Sequence, residues 1–160
     1  MKFYLSFFCL VYPAIILAQN APVERADDII GCYEKINFSE EAQKQINDIE
    51  PWPMPYQWFC FESDGTLYTM GSNRYEKHSS KSLREIFKVL PKDITYTIIQ
   101  PGIIKTEQKS VNQTLIWGGN FMGAAVLFDQ TVFEKGTFFM SIFSPKKQKN
   151  IYYRYLKKLD

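Results

Sequence analysis

Tyr56-Gln57-Trp58-Phe59-Cys60-Phe61-Glu62-Ser63-Asp64-Gly65-Thr66-Leu67-Tyr68-Thr69-Met70 reads as two β-strands joined by a tight turn. Both arms are rich in aromatic and β-branched residues, and an Asp-Gly step between such runs is a strong short-range hairpin signal. Alternation along Tyr56–Glu62 puts Phe59 and Phe61 on one face, with Trp58, Cys60 and Glu62 on the other. Glu62 marks its face as the wetter one, so Phe59 and Phe61 are expected to point into a core.

Working outward, strand patterns dominate. Ile29–Ile36 precedes the hairpin. Thr95–Gln100 and Ile103–Lys109 follow it, split by Pro101-Gly102. Thr114–Trp117 and Ala124–Phe128 are separated by Gly118-Gly119-Asn120, and Thr137–Phe143 and Ile151–Leu156 by a polar loop. Two short helices interrupt this series. Ser39 caps the first, which carries Ala42, Ile46 and Ile49 on one stripe and ends before Pro51. The second spans Ser82 to Leu90, with Ser82 and Glu85 as a capping box and Pro91 as a stop. The Pro51-Trp52-Pro53-Met54-Pro55 run must be extended. Short antiparallel strands at this spacing predict an all-β closed barrel of about eight strands with two short helices. The alternative is an α+β sheet wrapped on a helix, of the cystatin or nuclear-transport-factor kind.

The N-terminus reads differently. Lys2, an uncharged apolar run from Phe3 to Leu17 and a small residue at Ala18 form a secretory signal peptide over residues 1–18. Fifteen apolar residues fall short of the roughly 20 that span a bilayer. No stable membrane insertion is therefore expected after cleavage, and the bulky Phe8 speaks against a lipid anchor on Cys9. Residues 19–28 read as a flexible lead-in, and residues 29–160 as a single globular domain. Once Cys9 leaves with the leader, Cys32 and Cys60 are an even pair in an oxidising compartment, most simply one disulfide. A loop of that length implies about 3.5 kcal/mol of chain-entropy stabilisation. The periplasm is favoured over an extracellular location. Asn37-Phe38-Ser39 and Asn112-Gln113-Thr114 would be glycosylation acceptors in a eukaryotic route.

The two ends of the chain resemble small bacterial lipocalin-like proteins of the calycin type. In that family a Gly-x-Trp element opens the first strand, and an Arg on the last strand packs over the Trp. Here Ile30-Gly31-Cys32-Tyr33 stands at the first strand and Tyr152-Tyr153-Arg154-Tyr155 on the last. The Phe61-x-x-Asp64-Gly65-Thr66 hairpin is similar to the second and third strands of such proteins. Tyr33 stands where Trp belongs, and no Thr-Asp-Tyr element follows. The resemblance implies that the first and last strands meet, with Arg154 stacked on an inward Tyr33 as a barrel-closure pair. It also makes the helix after Ser39 a candidate lid.

Charge and chemistry narrow the function by exclusion. Without Lys2, 18 basic residues face 17 acidic ones, too even a balance for a nucleic-acid binder. A lone His and two cysteines cannot complete a zinc shell, so neither a metal nor another cofactor is expected. His78 beside Ser79 and Ser80 lacks the strand-turn-helix context of a nucleophile elbow. The acid pairs Asp27/Asp28, Glu40/Glu41 and Glu62/Asp64 fall at exposed or turn positions, and Gly118-Gly119-Asn120 lacks the Lys-Ser/Thr of a phosphate loop. No catalytic residues emerge, and the chain reads as a non-enzyme.

The aromatic content is the unusual feature: 21 of the 142 residues after the leader. Most should fill a core. Tyr33, Phe59, Phe61, Trp117, Phe128 and Phe139 are candidates to line a cavity for a small apolar molecule. The alternative is a protein partner: an inhibitor or immunity protein that blocks an exported toxin or hydrolase. It would present Trp52 and Pro53 of the proline run, or Lys146, Lys147 and Lys149 of the basic C-terminal segment.

Overall fold

The computed structural model describes residues 19–160. The leader and Cys9 lie outside the described residues. The described residues form eleven strands: β1 (Ala21–Pro22), β2 (Gly31–Lys35), β3 (Tyr56–Phe61), β4 (Thr66–Ser72), β5 (Ile94–Gln100), β6 (Ile103–Gln108), β7 (Gln113–Phe121), β8 (Val126–Phe128), β9 (Thr131–Phe133), β10 (Phe138–Ser144) and β11 (Lys149–Lys158). Two helices accompany them, α1 (Glu40–Ile46) and α2 (Ser80–Phe87), with a 3-10 turn at Ala26–Asp28.

The main sheet runs β1-β7-β10-β11-β2-β3-β4-β5-β6, and β6 also pairs with β7. That last pairing closes eight antiparallel strands into a barrel and excludes the open sheet wrapped on a helix. The first and last barrel strands meet at Tyr33↔Lys158, Glu34↔Lys157 and Lys35↔Leu156. The least continuous seam lies between β4 and β5, which pair only at Thr66↔Thr95 and Leu67↔Ile94. The far half of β4 therefore leaves the sheet open beside the barrel's mouth.

The Asp64-Gly65 hairpin forms as its sequence dictates. Gly65 takes φ +81°, a region that costs most side chains dearly but glycine little. Asp64 Oδ1 accepts the Thr66 amide at 2.9 Å. Cys32 and Cys60 lie directly opposite each other on β2 and β3, Cα atoms 4.1 Å apart, and are joined by a disulfide. Trp58 and Cys60 sit on the outer face of β3, yet both are fully buried beneath Leu83 and Phe87 of α2. The face marked wet by Glu62 is thus dry over most of its length, because a helix covers it. That helix begins earlier than its sequence implied. Ser79 is the cap, and Ser82 completes the box.

Three further expectations are corrected. Residues 19–28 are no free lead-in: β1 pairs with Asn120 and Phe121, and Val23 and Ile29 are wholly buried at one end of the barrel. Gly118-Gly119-Asn120 is not a turn but the interior of β7. A Cβ on Gly119 would come within 2.5 Å of Ile104 Cδ1, so the glycine allows close packing between β7 and β6. Finally, β8 and β9 leave the barrel altogether and form a separate hairpin. It covers the outer face of β11, where Phe133 packs 4.8 Å from the ring of Tyr155 and Phe38 lies 5.4 Å from Phe128.

Candidate functional site

Strand alternation sorts the interior into a packed end and a hollow end. At the packed end Tyr33 meets Phe61 and Phe138 edge to face, at 5.8 and 5.6 Å, with Val23 and Ile29 as the plug. The Tyr33 hydroxyl donates to the Ile29 carbonyl at 3.0 Å, and burial pushes its pKa up to about 12.

Toward the other end the barrel holds a cavity of about 310 Å³. Its wall is apolar: Phe59 and Phe61 from β3, Leu67 from β4, Leu115 and Trp117 from β7, Met140 from β10. Gln108 and Gln113 supply polar groups where β6 turns into β7. Trp117 Nε1 donates to Thr106 Oγ1 at 3.1 Å, which satisfies the indole and leaves the threonine hydroxyl proton free. The proline run forms one side. Trp52, Pro53 and Met54 all line the cavity, Trp52 stacks on Trp117 at 5.5 Å, and Gln57 Nε2 donates to the Met54 carbonyl at 2.8 Å. Three prolines in five residues fix this segment in an extended form that reaches across the opening.

The position that sequence reasoning misjudged is Arg154. On β11 the residues Tyr152, Arg154 and Leu156 face inward, and Arg154 is only 4% exposed. Its guanidinium carbon lies 4.1 Å from the centroid of the Trp52 ring, 4.5 Å from Phe59 and 5.1 Å from Trp117. Among the described residues no carboxylate pairs with it, and its Nε has no hydrogen-bond partner. The neighbouring Tyr152 hydroxyl, also buried, has none either. Burial lowers the guanidinium's pKa, opposed by Tyr152 and by the more distant Glu50. Lys35, 6% exposed, is a second buried cation. Burial lowers its ammonium's pKa, Glu50 opposes, and Arg154 adds repulsion.

The expected residues therefore divide. Phe59, Phe61 and Trp117 line the cavity. Tyr33 does not; it belongs to the packed end. Phe139 points outward because its neighbours Phe138 and Met140 point in, and its ring packs 5.5 Å from Tyr155. Phe128 sits on the β8–β9 hairpin outside the barrel. The Tyr33–Arg154 closure pair does not form, since the register sets Tyr33 opposite Lys158, whose Nζ lies 5.9 Å from its ring. Trp52 takes the place beside Arg154 that Tyr33 was expected to fill. Trp52 and Pro53 are thus cavity wall instead of an outward docking surface. Lys147 and Lys149 hold Asp48 at 2.8 and 3.0 Å, while Lys146 is exposed. The helix after Ser39 is no lid either. Asn47 and Asp48 at its end hydrogen-bond the backbone of β11, and the proline run covers the mouth instead.

The residues around His78 are held by packing and capping contacts. His78 packs edge-on to Trp58 at 5.0 Å, while Ser79 Oγ caps α2 and Ser80 Oγ donates to the Leu159 carbonyl at 2.9 Å. No helix among the described residues is long and apolar enough to cross a membrane. No family model matches this chain, and neither a curated protein nor a solved structure does.

Proposed function

We propose that this chain is a non-enzymatic exported binding protein that holds a small, largely apolar ligand inside its barrel. The observation that carries the reading is the aromatic-walled cavity of about 310 Å³, plugged at one end and crossed by the proline run at the other. That volume lies at the small end of ligand pockets, which span roughly 300–1,000 Å³ and combine apolar walls with a few placed polar groups. The lipocalin-like resemblance supports it only through the closed antiparallel barrel and the meeting of its first and last strands, since Arg154 stacks on Trp52 and not on Tyr33. Export is supported by the Cys32–Cys60 disulfide and the apolar leader sequence. The inhibitor reading is left with less surface, since Trp52 and Pro53 line the cavity.

Native mass spectrometry of protein purified from its own host provides the test, with Nile red fluorescence as a second readout. Retained mass that denaturation releases, or dye uptake blocked by filling the cavity through Leu115→Trp, supports the proposal. A clean mass together with no dye uptake would overturn it.

A further inference from the structure

We propose that the ligand carries a carboxylate, received by Arg154; this deepens the binding reading above and rests on it. A guanidinium taken out of water is costly unless a charge or hydrogen-bond acceptor compensates. Here the aromatic rings compensate over the faces of the group, and Trp52 and Phe59 stand closest. Its N–H edge is left over. Nε is buried and unpartnered, no carboxylate of the chain pairs with the group among the described residues, and the same side chain lines the cavity. The Tyr152 hydroxyl, also buried, lies outside the cavity wall and backs the guanidinium instead of meeting the ligand. Buried polar groups in native proteins are nearly always satisfied, so a guanidinium in the cavity wall with no carboxylate partner marks the place of a missing acceptor.

The shape of that acceptor follows from the donors. A planar fork matches the two coplanar oxygens of a carboxylate. A phosphate dianion would present a third oxygen to a wall made of Phe59, Leu115, Trp117 and Met140. Lys35 adds positive potential without lining the cavity, so a single negative charge suits the site better than a neutral head. The volume, equal to about ten waters, sets the tail at about ten to fifteen non-hydrogen atoms: a medium-chain or aryl carboxylate.

Trp52 and Trp117 in the wall give a built-in fluorescence reporter. Decanoate and decanol, equal in chain length, are titrated at pH 7 into the wild-type protein and into Arg154→Met and Arg154→Lys. Decanoate should bind the wild type about ten- to a hundredfold more tightly than decanol, the range expected of charge-assisted hydrogen bonds in a desolvated site. Arg154→Met should abolish that preference while still binding decanol. Arg154→Lys, which keeps the charge and loses the fork, should weaken decanoate severalfold and leave decanol unchanged, which keeps the test usable if the methionine variant does not fold. Equal affinity of the wild type for both probes overturns the carboxylate and leaves the cavity reading intact. A preference that survives Arg154→Met overturns the assignment to this residue. If neither probe binds and Nile red is also excluded, the binding reading itself falls.

Discussion

Replacing Arg154 by methionine should leave the stability of the fold almost unchanged, although the side chain is 4% exposed and surrounded by rings. Removing one member of a buried ion pair usually costs 3–5 kcal/mol, because the partner is stranded as an uncompensated charge. Arg154 has no such partner among the described residues. Its desolvation penalty is several kcal/mol. Against this stand two close ring contacts, at 4.1 and 4.5 Å, worth about 2 kcal/mol each when desolvated. These opposing effects nearly cancel. Methionine, unbranched and apolar, follows the same channel over Trp52 and Phe59, and its neutrality relieves the repulsion on Lys35. The expected change is within about 1 kcal/mol of zero. Urea unfolding followed by far-ultraviolet circular dichroism measures it independently of the tryptophans at the site, with an unchanged m-value as the check on two-state behaviour. A loss above about 3 kcal/mol would show that the arginine is a structural keystone, and the cancellation argued above would be wrong.

The other expectations are smaller in scope. Trp52→Ala removes a ring stacked on Trp117 and close to Arg154, and should cost about 2–3 kcal/mol while making Trp117 more accessible to acrylamide quenching. Gly119→Ala drives a methyl to 2.5 Å from Ile104 Cδ1 and should destabilise by about 1–3 kcal/mol; adding Ile104→Val should recover part of the lost Tm, and a purely additive pair would refute the packing account. Tyr33, whose hydroxyl titrates near 12 in the folded chain, binds its proton more tightly folded than unfolded. Its stabilisation is therefore complete below about pH 10 and lost between about 10 and 12, some 2–3 kcal/mol in all, so Tyr33→Phe should flatten alkaline unfolding across that window.

The hairpin, the disulfide partners and the barrel class were legible because each rests on local signals: an Asp-Gly step, two cysteines, and apolar alternation at regular spacing. Phe59 and Phe61 were placed correctly by alternation alone. Arg154 was expected inside on the resemblance, but stacked on Tyr33; the register sets Tyr33 opposite Lys158, and Trp52 takes the place beside the guanidinium. Trp52 was illegible for a different reason. Its neighbours are prolines, which announce an extended segment but say nothing of what that segment crosses. Phe128 and Phe139 were lost to topology, since only the departure of β8 and β9 from the barrel shows that a second aromatic layer lies outside it. Gly118 and Gly119 look like a turn in one dimension. In three they are the places where two neighbours press against one strand.

Closing the barrel imposes an order on folding. Residues 21–23 find their partners at positions 119–121, and β2 pairs with the last strand, so neither β1 nor β2 can be finished until almost the whole chain exists. Contacts so distant in sequence make folding slow and leave strand edges exposed meanwhile. The Cys32–Cys60 bridge spans only 28 residues and needs nothing beyond the first hairpins. Formed early, it keeps β2 fastened to β3 through that interval, so the strand that waits longest for its neighbour waits with one edge already occupied.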